Sequence, residues 1–392
     1  MNKPLEGKRM LAVIYGTELF GSERANLEAL QSMQRMGATI LVGVSAREPE
    51  GGDVGDFARN AGFETFLLPF GSHFAYSWMR YDRAYRNRQL KRLWTNSRAL
   101  HRAIKQFRPT HLMFSTVLSS IFVALALVWH RTPLIYRIGD APVVESKFQL
   151  FFWRRLIRRA THIVCISDFI VQEVMAHSDV SKNKVSRIYN VPITRAGEAD
   201  ANAIESLKAH KRPLQLVYVG QIHEIKGVRP LIKALIAAND SSIGAWIVGG
   251  SAHTKKLEAE LKTAVRKSKT NTSIRFEGFQ ADPRPYYAAA DWHIAPSVYQ
   301  EPLGNIVQEA KIAGIPSIIS NNGGLPELVA DGIDGIILPT IDSDTIQQVL
   351  ENLLKQPENW KDMGNAAKTS LHPRFTRATF DADWCNVVLT TI

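Results

Sequence analysis

Short apolar runs alternate with amphipathic stretches along the whole chain. Residues 10–15 read as a buried strand, and a glycine-bounded turn at 16–21 leads into a helical stretch over 23–36. Gly37 stops that helix before the next strand at 39–44. This is a βαβ opening. The same alternation predicts strands at 65–68, 111–114, 134–137, 162–166 and 187–189. It predicts helices at 97–106, 120–129 and 148–159, and one more beginning at Ser167 or Asp168, both good caps. Residues 190–213 break the pattern with Pro192, Gly197 and mixed charge, and read as a linker region. The alternation then restarts. Strands are predicted at 216–219, 245–248, 274–277, 292–295, 317–320 and 335–338. Helices are predicted at 228–238, 254–266, 285–290, 304–313, 326–330 and 345–354. Two successive parallel α/β units account for the chain, without a detectable sequence repeat.

Composition agrees with two cores. The chain has 392 residues, 45% of them hydrophobic, and domains of about 150–200 residues are the natural division. Cys165 and Cys385 are the only cysteines; they make neither a disulfide framework nor a structural zinc site, and are expected as buried thiols in a reducing compartment. The apolar run after the basic start is only about five residues, too short for a signal peptide. Residues 112–129 carry no formal charge, at the lower limit for a membrane span. Ser115, Thr116, Ser119 and Ser120 interrupt them, and a strand, a polar turn and a buried helix explain the stretch equally well. The expected location is cytoplasmic, or peripheral on the cytoplasmic face of an inner membrane.

The net charge of +11 is unevenly spread. Residues 1–190 hold 27 Lys/Arg and 15 Asp/Glu, whereas residues 191–392 hold 21 and 22. The excess points to an anionic partner for the first half: a phospholipid surface, a phosphate-bearing substrate or nucleic acid. Two segments concentrate it. Residues 74–94 interleave six Lys/Arg with Phe74, Tyr76, Trp78, Tyr81, Tyr85 and Trp94, and residues 148–159 read FQLFFWRRLIRR. Basic side chains beside aromatics suit an anionic membrane surface. Solvated helix faces with inward aromatic anchors are the plainer reading. No nucleic-acid module is recognisable, so no nucleic-acid partner is expected.

Several loops could carry chemistry. In Glu301-Pro-Leu-Gly-Asn-Ile-Val-Gln-Glu309, Gly304 and Asn305 can open a helix whose free N–H groups favour phosphate. Glu301 precedes that helix and Glu309 lies about a turn inside it; alone, the two acids also fit a loop acid and a surface acid. Gly323-Gly324-Leu325-Pro326-Glu327 permits close backbone approach after a strand. Lys226 stands near a helix start, where a cation opposes the dipole; a bound phosphate would resolve the conflict, and a solvated loop lysine is the alternative. Gly21, Ser22 and Arg24 form a corresponding turn in the first half. The dinucleotide fingerprint, the Walker A motif, two-metal carboxylate clusters and H-E-x-x-H are all missing.

The order of these elements resembles the retaining glycosyltransferases of family 4, most closely over residues 216–338. The block APSVYQEPLGNIVQEAKIAGIPSIISNNGGLPELV contains the family's E-x7-E signature at Glu301 and Glu309. The resemblance implies an α/β GT-B fold: two Rossmann-like domains facing across a deep cleft. It implies an acceptor domain at 1–190, a linker at 191–212 and a donor domain at 213–374, with residues 375–392 packing back on the first. Glu301 then looks like the carboxylate facing the donor sugar. Gly304, Asn305 and Ile306 look like the backbone receiving sugar and diphosphate, and Glu309 like the acid on the ribose. Lys226 looks like the cation on the diphosphate, Phe279 like the residue beside the base, and Gly21 like the glycine near phosphates and acceptor. Asn190 matches the start of a family Asn-Gly segment.

The sequence departs from the pattern in places. Gln221 stands where an arginine is common, so one permanent positive charge is missing. Ser115-Thr116 replaces a first-domain histidine region, Gly139-Asp140 a histidine-aspartate pair, and Asn190-Val191 the Asn-Gly. Ser22, Arg24, Ser115, Thr116 and Asp140 are the acceptor-side candidates. The resemblance implies transfer from a nucleoside-diphosphate sugar, UDP before GDP, to a hydroxyl of a glycan or lipid-linked glycan, as in bacterial envelope polysaccharide synthesis. It implies retention of configuration, with no metal or other cofactor. Transfer to a soluble small molecule, and a sugar-nucleotide-binding protein without turnover, are the alternatives.

Overall fold

The computed structural model describes residues 3–16, 21–46, 52–70, 83–115, 124–142, 147–192, 198–250, 255–371 and 374–391. Thr116, Phe20 and most of the basic-aromatic stretch before Arg83 lie outside them. The chain divides into two compact units, Met1–Val191 with Arg377–Ile392, and Pro192–Thr376.

The first unit carries β1 (Arg9–Val13), α1 (Gly21–Arg35), β2 (Thr39–Ser45), α2 (Gly52–Asn60), β3 (Glu64–Leu68), α3 (Arg83–Phe107) and β4 (His111–Phe114). After these come α4 (Ala124–Trp129), β5 (Leu134–Ile138), α5 (Lys147–Arg159), β6 (His162–Cys165), α6 (Asp168–His177) and β7 (Val185–Arg187). The strands form one parallel sheet in the order β3-β2-β1-β4-β5-β6-β7. Its central strands are buried on both faces, which is why they read as unbroken apolar runs. Ser167 caps α6 by accepting from the Ile170 N–H at 3.1 Å.

The second unit carries α7 (Ala201–Ala209), β8 (Leu214–Val219), α8 (Val228–Ala238), β9 (Ile243–Val248), α9 (Lys255–Ser268), β10 (Ser273–Gly278) and α10 (Arg284–Ala289). It continues with β11 (Trp292–Ala295), α11 (Asn305–Ile312), β12 (Ser317–Ser320), β13 (Gly335–Leu338), α12 (Ser343–Lys355) and α13 (Trp360–Ser370). Its parallel sheet runs β10-β9-β8-β11-β12-β13. The last helix, α14 (Arg377–Thr390), belongs to the first unit. Phe380, Trp384, Val387 and Val388 enter the core built by Leu27, Leu30 and Met33. Asp381 accepts from Ser32 Oγ at 2.6 Å and from Arg35 Nη2 at 2.8 Å, and Arg377 pairs with Glu28.

Several local expectations change. The stretch read as linker contains α7, which Asp200 caps and which packs on α10. The last strand of the first unit is β7 rather than 187–189: pairing with β6 ends at Arg187, and Ile188 and Tyr189 continue as buried irregular chain. The stretch 326–330 is a 3₁₀ turn at Leu325–Leu328. Helix α3 begins well before residue 97; its N-terminal half is dominated by basic and polar residues, so Leu90 and Trp94 at helical spacing give only a weak signal. Helices α2 and α13 have no counterpart in the sequence reading. The uncharged stretch 112–129 resolves into β4 and α4, and among the described residues no helix is long and apolar enough to cross a membrane.

Candidate functional site

In the second sheet the chain proceeds from β8 outward through β9 to β10, then returns to the other side of β8 at β11. The switch point therefore lies between β8 and β11, and the loops leaving their carboxyl ends are the natural walls of a ligand site. Lys226 leaves β8 in a short 3₁₀ turn, Glu224–Lys226. Glu301 leaves β11. The two meet, with Lys226 Nζ 2.5 Å from Glu301 Oε1. Both side chains are largely but not fully covered. Lys226 stands immediately before α8, and Glu301 offsets the unfavourable cation at that helix start.

The loop that carries Glu301 is held from three sides. The Ile225 carbonyl accepts from Val298 N at 2.9 Å and Tyr299 N at 3.0 Å. Asn322, after β12, donates Nδ2 to the carbonyls of Ser297 and Val298, both at 3.1 Å. The Glu301 carbonyl accepts from Gly324 N at 2.7 Å. Gly227, at φ +70°, closes the Lys226 turn, and a Cβ there would overlap the Pro296 carbonyl oxygen. Gly323, at φ +62°, is equally constrained, because a Cβ would strike the Glu301 carbonyl oxygen. The diglycine is therefore a support for the Glu301 backbone.

Ser297 Oγ lies 2.8 Å from Glu301 Oε1, so Glu301 is oriented by a hydroxyl as well as by Lys226. Tyr218, buried in β8, donates its hydroxyl to the Gln221 carbonyl at 2.7 Å. Burial, then the Glu301 charge, push this phenol upward, so it stays a donor. The sequence reading singled out none of Ser297, Tyr218 and Asn322. Ser297 stands four residues before Glu301 in the quoted block, which was the available signal.

The remaining donor-side candidates stand on α11 and after β8 and β10 of the same unit. Gly304, at φ +98°, opens α11 without a capping side chain. Asn305 and Ile306 are the first two helical residues, and their amides belong to the helix's unsatisfied N-terminal set. Glu309 stands four residues after Asn305, on the same face of α11, and is half-buried. Gln221 is exposed beyond β8. Phe279, 80% exposed, projects past the end of β10.

The other candidates lie in the first unit. Gly21 and Ser22 are exposed at the start of α1, and Ser22 Oγ donates to Glu23 Oε2 at 2.5 Å. Arg24 follows within the same turn. Ser115 follows β4 and Asp140 follows β5, both beyond the carboxyl ends of strands. The chemistry missed here is Arg137. It is buried, donating Nη1 to Asn26 Oδ1 at 2.7 Å and Nη2 to Asn190 Oδ1 at 2.5 Å. Burial lowers its pKa to about 10, against the pull of Asp140 and Glu23. Asn190 is thus bound to the buried arginine. Among the described residues no three of His, Cys, Asp and Glu come together as a metal site.

Family models match both units: "Glycosyltransferase Family 4" over residues 21–191 and "Glycosyl transferases group 1" over 200–370. The chain belongs to this glycosyltransferase family. Its two sheets follow the GT-B plan. Over 98% of its length the fold matches the Anabaena HepE protein, solved in complex with UDP and glucose, at a TM-score of 0.80 and 19% identity, covering 100% of that chain. The chain is 26% identical over 223 residues to the lipopolysaccharide core biosynthesis glycosyltransferase LpsE of Rhizobium meliloti, covering 56% of this chain and 59% of that protein. It is 22% identical over 222 residues to a 41.2 kDa protein in the cps region of Klebsiella pneumoniae, covering 55% and 58%. The match thus spans less than two thirds of the length of these curated relatives.

Proposed function

We propose that the protein transfers a sugar from a nucleoside-diphosphate sugar to a hydroxyl of a glycan or lipid-linked glycan. The observation that carries this reading is the Lys226–Glu301 pair at the switch point, beside the uncapped start of α11. A diphosphate leaving group needs positive charge more than a proton. Lys226 and the amides at Gly304–Ile306 supply it from fixed positions, so the reaction needs no metal. Glu301, held by Ser297, sets negative charge where an oxocarbenium-like centre develops. Glu309 is the acid for the ribose hydroxyls, and exposed Phe279 the face for the base. UDP is the favoured nucleotide, supported by the HepE complex of like fold. Retention of configuration follows when the acceptor hydroxyl attacks from the leaving-group side and passes its proton to a departing phosphate oxygen. The likeness to LpsE favours an envelope polysaccharide as acceptor.

Titration calorimetry against UDP, GDP, ADP and TDP, each with and without EDTA, tests the donor site. Saturable binding of UDP that survives EDTA and weakens in Lys226→Ala and Glu309→Ala is the expected result. A folded protein that binds none of the four defeats the proposal. Binding without transfer or donor hydrolysis, across a panel of lipid-linked glycans, points instead to a binding protein, for which the missing arginine at Gln221 is the motivating feature.

A further inference from the structure

The first unit has a face that the proposed chemistry does not use. Helices α3, α4 and α5 follow crossovers in one direction across the sheet, so all three lie on the same side of it. α3 packs on α4. Arg159, at the end of α5, donates Nη2 to the carbonyls of His130 at 2.7 Å and Thr132 at 2.9 Å, just beyond α4. Helix α3 carries eight Lys/Arg and α5 five, and neither contains an Asp or Glu. The acids on this side stand on α6, at Asp168 and Glu173, while on the other side α1, α2 and α14 all carry them.

Large apolar side chains stand exposed within this positive surface. Leu90, Trp94, Arg98 and His101 recur at helical spacing along one line of α3. His101 continues the line to α4: its ring meets the edge of Trp129 at 6.4 Å, and its Nδ1 lies 2.9 Å from His130 Nε2. Trp94 is 50% exposed, Trp129 64% and Val128 71%. On α5, Phe151 is 62% exposed beside Arg154, Arg155 and Arg158. These three arginines with Leu150 and Phe151 line a shallow depression of about 320 Å³. A second, of about 270 Å³, shares Arg154 and Arg158 and adds Ser178, Asp179, Ser181 and Lys184, so three cations there outnumber one carboxylate. Arg154 is held in place by donating Nε to the His177 carbonyl at 2.9 Å, and Arg158 faces Asp179 at 3.4 Å.

We propose that this α3–α4–α5 face docks on an anionic lipid bilayer. Trp94, Trp129 and Phe151 enter the boundary between headgroups and acyl chains, and the arginines of α5 seat phosphate headgroups in the two depressions. The charge is complementary to anionic lipid, and exposed aliphatic Leu90 and Val128 beside the tryptophans match an acyl boundary. Nucleic acid would use the arginines and stack on the aromatics but has no partner for the aliphatics. The inference rests on this surface alone and stands apart from transfer activity.

Co-sedimentation with vesicles tests it, using the full chain without nucleotide. Retention is expected on equimolar phosphatidylcholine and phosphatidylglycerol, not on phosphatidylcholine alone, and it should weaken as salt rises. Trp94→Ala combined with Trp129→Ala, and separately Arg154→Gln with Arg158→Gln, should each weaken retention by about tenfold. Both variants should keep the parent melting temperature and UDP affinity, since the replaced groups are on the surface. No retention, equal retention on both vesicle types, or retention that neither variant changes overturns the proposal. So does tighter binding to duplex DNA or an acidic polysaccharide that the tryptophan variant leaves intact. Failure here with intact UDP binding leaves the transferase reading standing.

Discussion

At the residue scale, the proposed transfer turns on a carboxylate whose surroundings the fold builds in advance. Glu301 is fixed by Lys226 at 2.5 Å and Ser297 at 2.8 Å, and its backbone by Gly324. Replacing it by Gln keeps shape and hydrogen-bonding capacity but removes the charge. Glu301→Gln should therefore lower kcat on the order of 10²-fold, with nucleotide affinity changed little. Steady-state kinetics beside titration calorimetry checks this. A comparable loss of UDP affinity would mean that the residue serves binding rather than the reacting centre. The E-x7-E spacing made Glu301 and Glu309 legible from the chain. Ser297 was not, because one serine in a polar loop is unremarkable until the loop is folded back on Ile225.

At the element scale, α11 is anchored from beneath by a buried ion pair. Lys311 Nζ lies 2.6 Å from Asp334 Oδ2 and 2.7 Å from Ser370 Oγ, tying the helix to the loop before β13 and to α13. Asp334 also accepts from Ala330 N through its other oxygen at 2.8 Å. Removing the lysine leaves a buried carboxylate without its cation. Lys311→Ala should destabilise the fold by about 3–5 kcal/mol in urea unfolding. It should also weaken nucleotide binding if the start of α11 receives the diphosphate. Sequence periodicity marked α11 as a helix but not its anchor, since the partners lie 23 and 59 residues away. The same limit hid α7: nine residues with no buried member look like linker until α10 is placed against them.

At the scale of the whole molecule, stability should depend on acid through His293. This residue is buried in β11 beside Ser317, and burial lowers its pKa to about 3. In the unfolded chain it would take a proton near its ordinary value of about 6.5. Between those values the unfolded state binds a proton that the folded state refuses. The contribution of neutral His293 is complete above pH ~6.5 and is lost progressively as pH falls toward ~3. The slope is about 1.4 kcal/mol per pH unit for this one group. His293→Asn should flatten the fall of ΔG between pH 6.5 and 4 in denaturant titrations by roughly that amount. An unchanged slope would place the acid sensitivity elsewhere.

The sequence by itself determined the parallel α/β class, most strand positions, and the family through one contiguous block after β11. Those are properties of local period and local order: a buried parallel strand must be apolar on both faces, and a helix must repeat its apolar stripe. Tertiary structure decided the rest. It brought Lys226 and Glu301, 75 residues apart, to one switch point. It buried Arg137 of β5 between Asn26 of α1 and Asn190 of the irregular chain after β7. It assigned α14 to the first core, and it placed α3 and α5, which carry no Asp or Glu of their own, on one side of the first sheet. Each of these depends on which strand lies beside which, and strand order follows from the packing of long crossovers that no local spacing records.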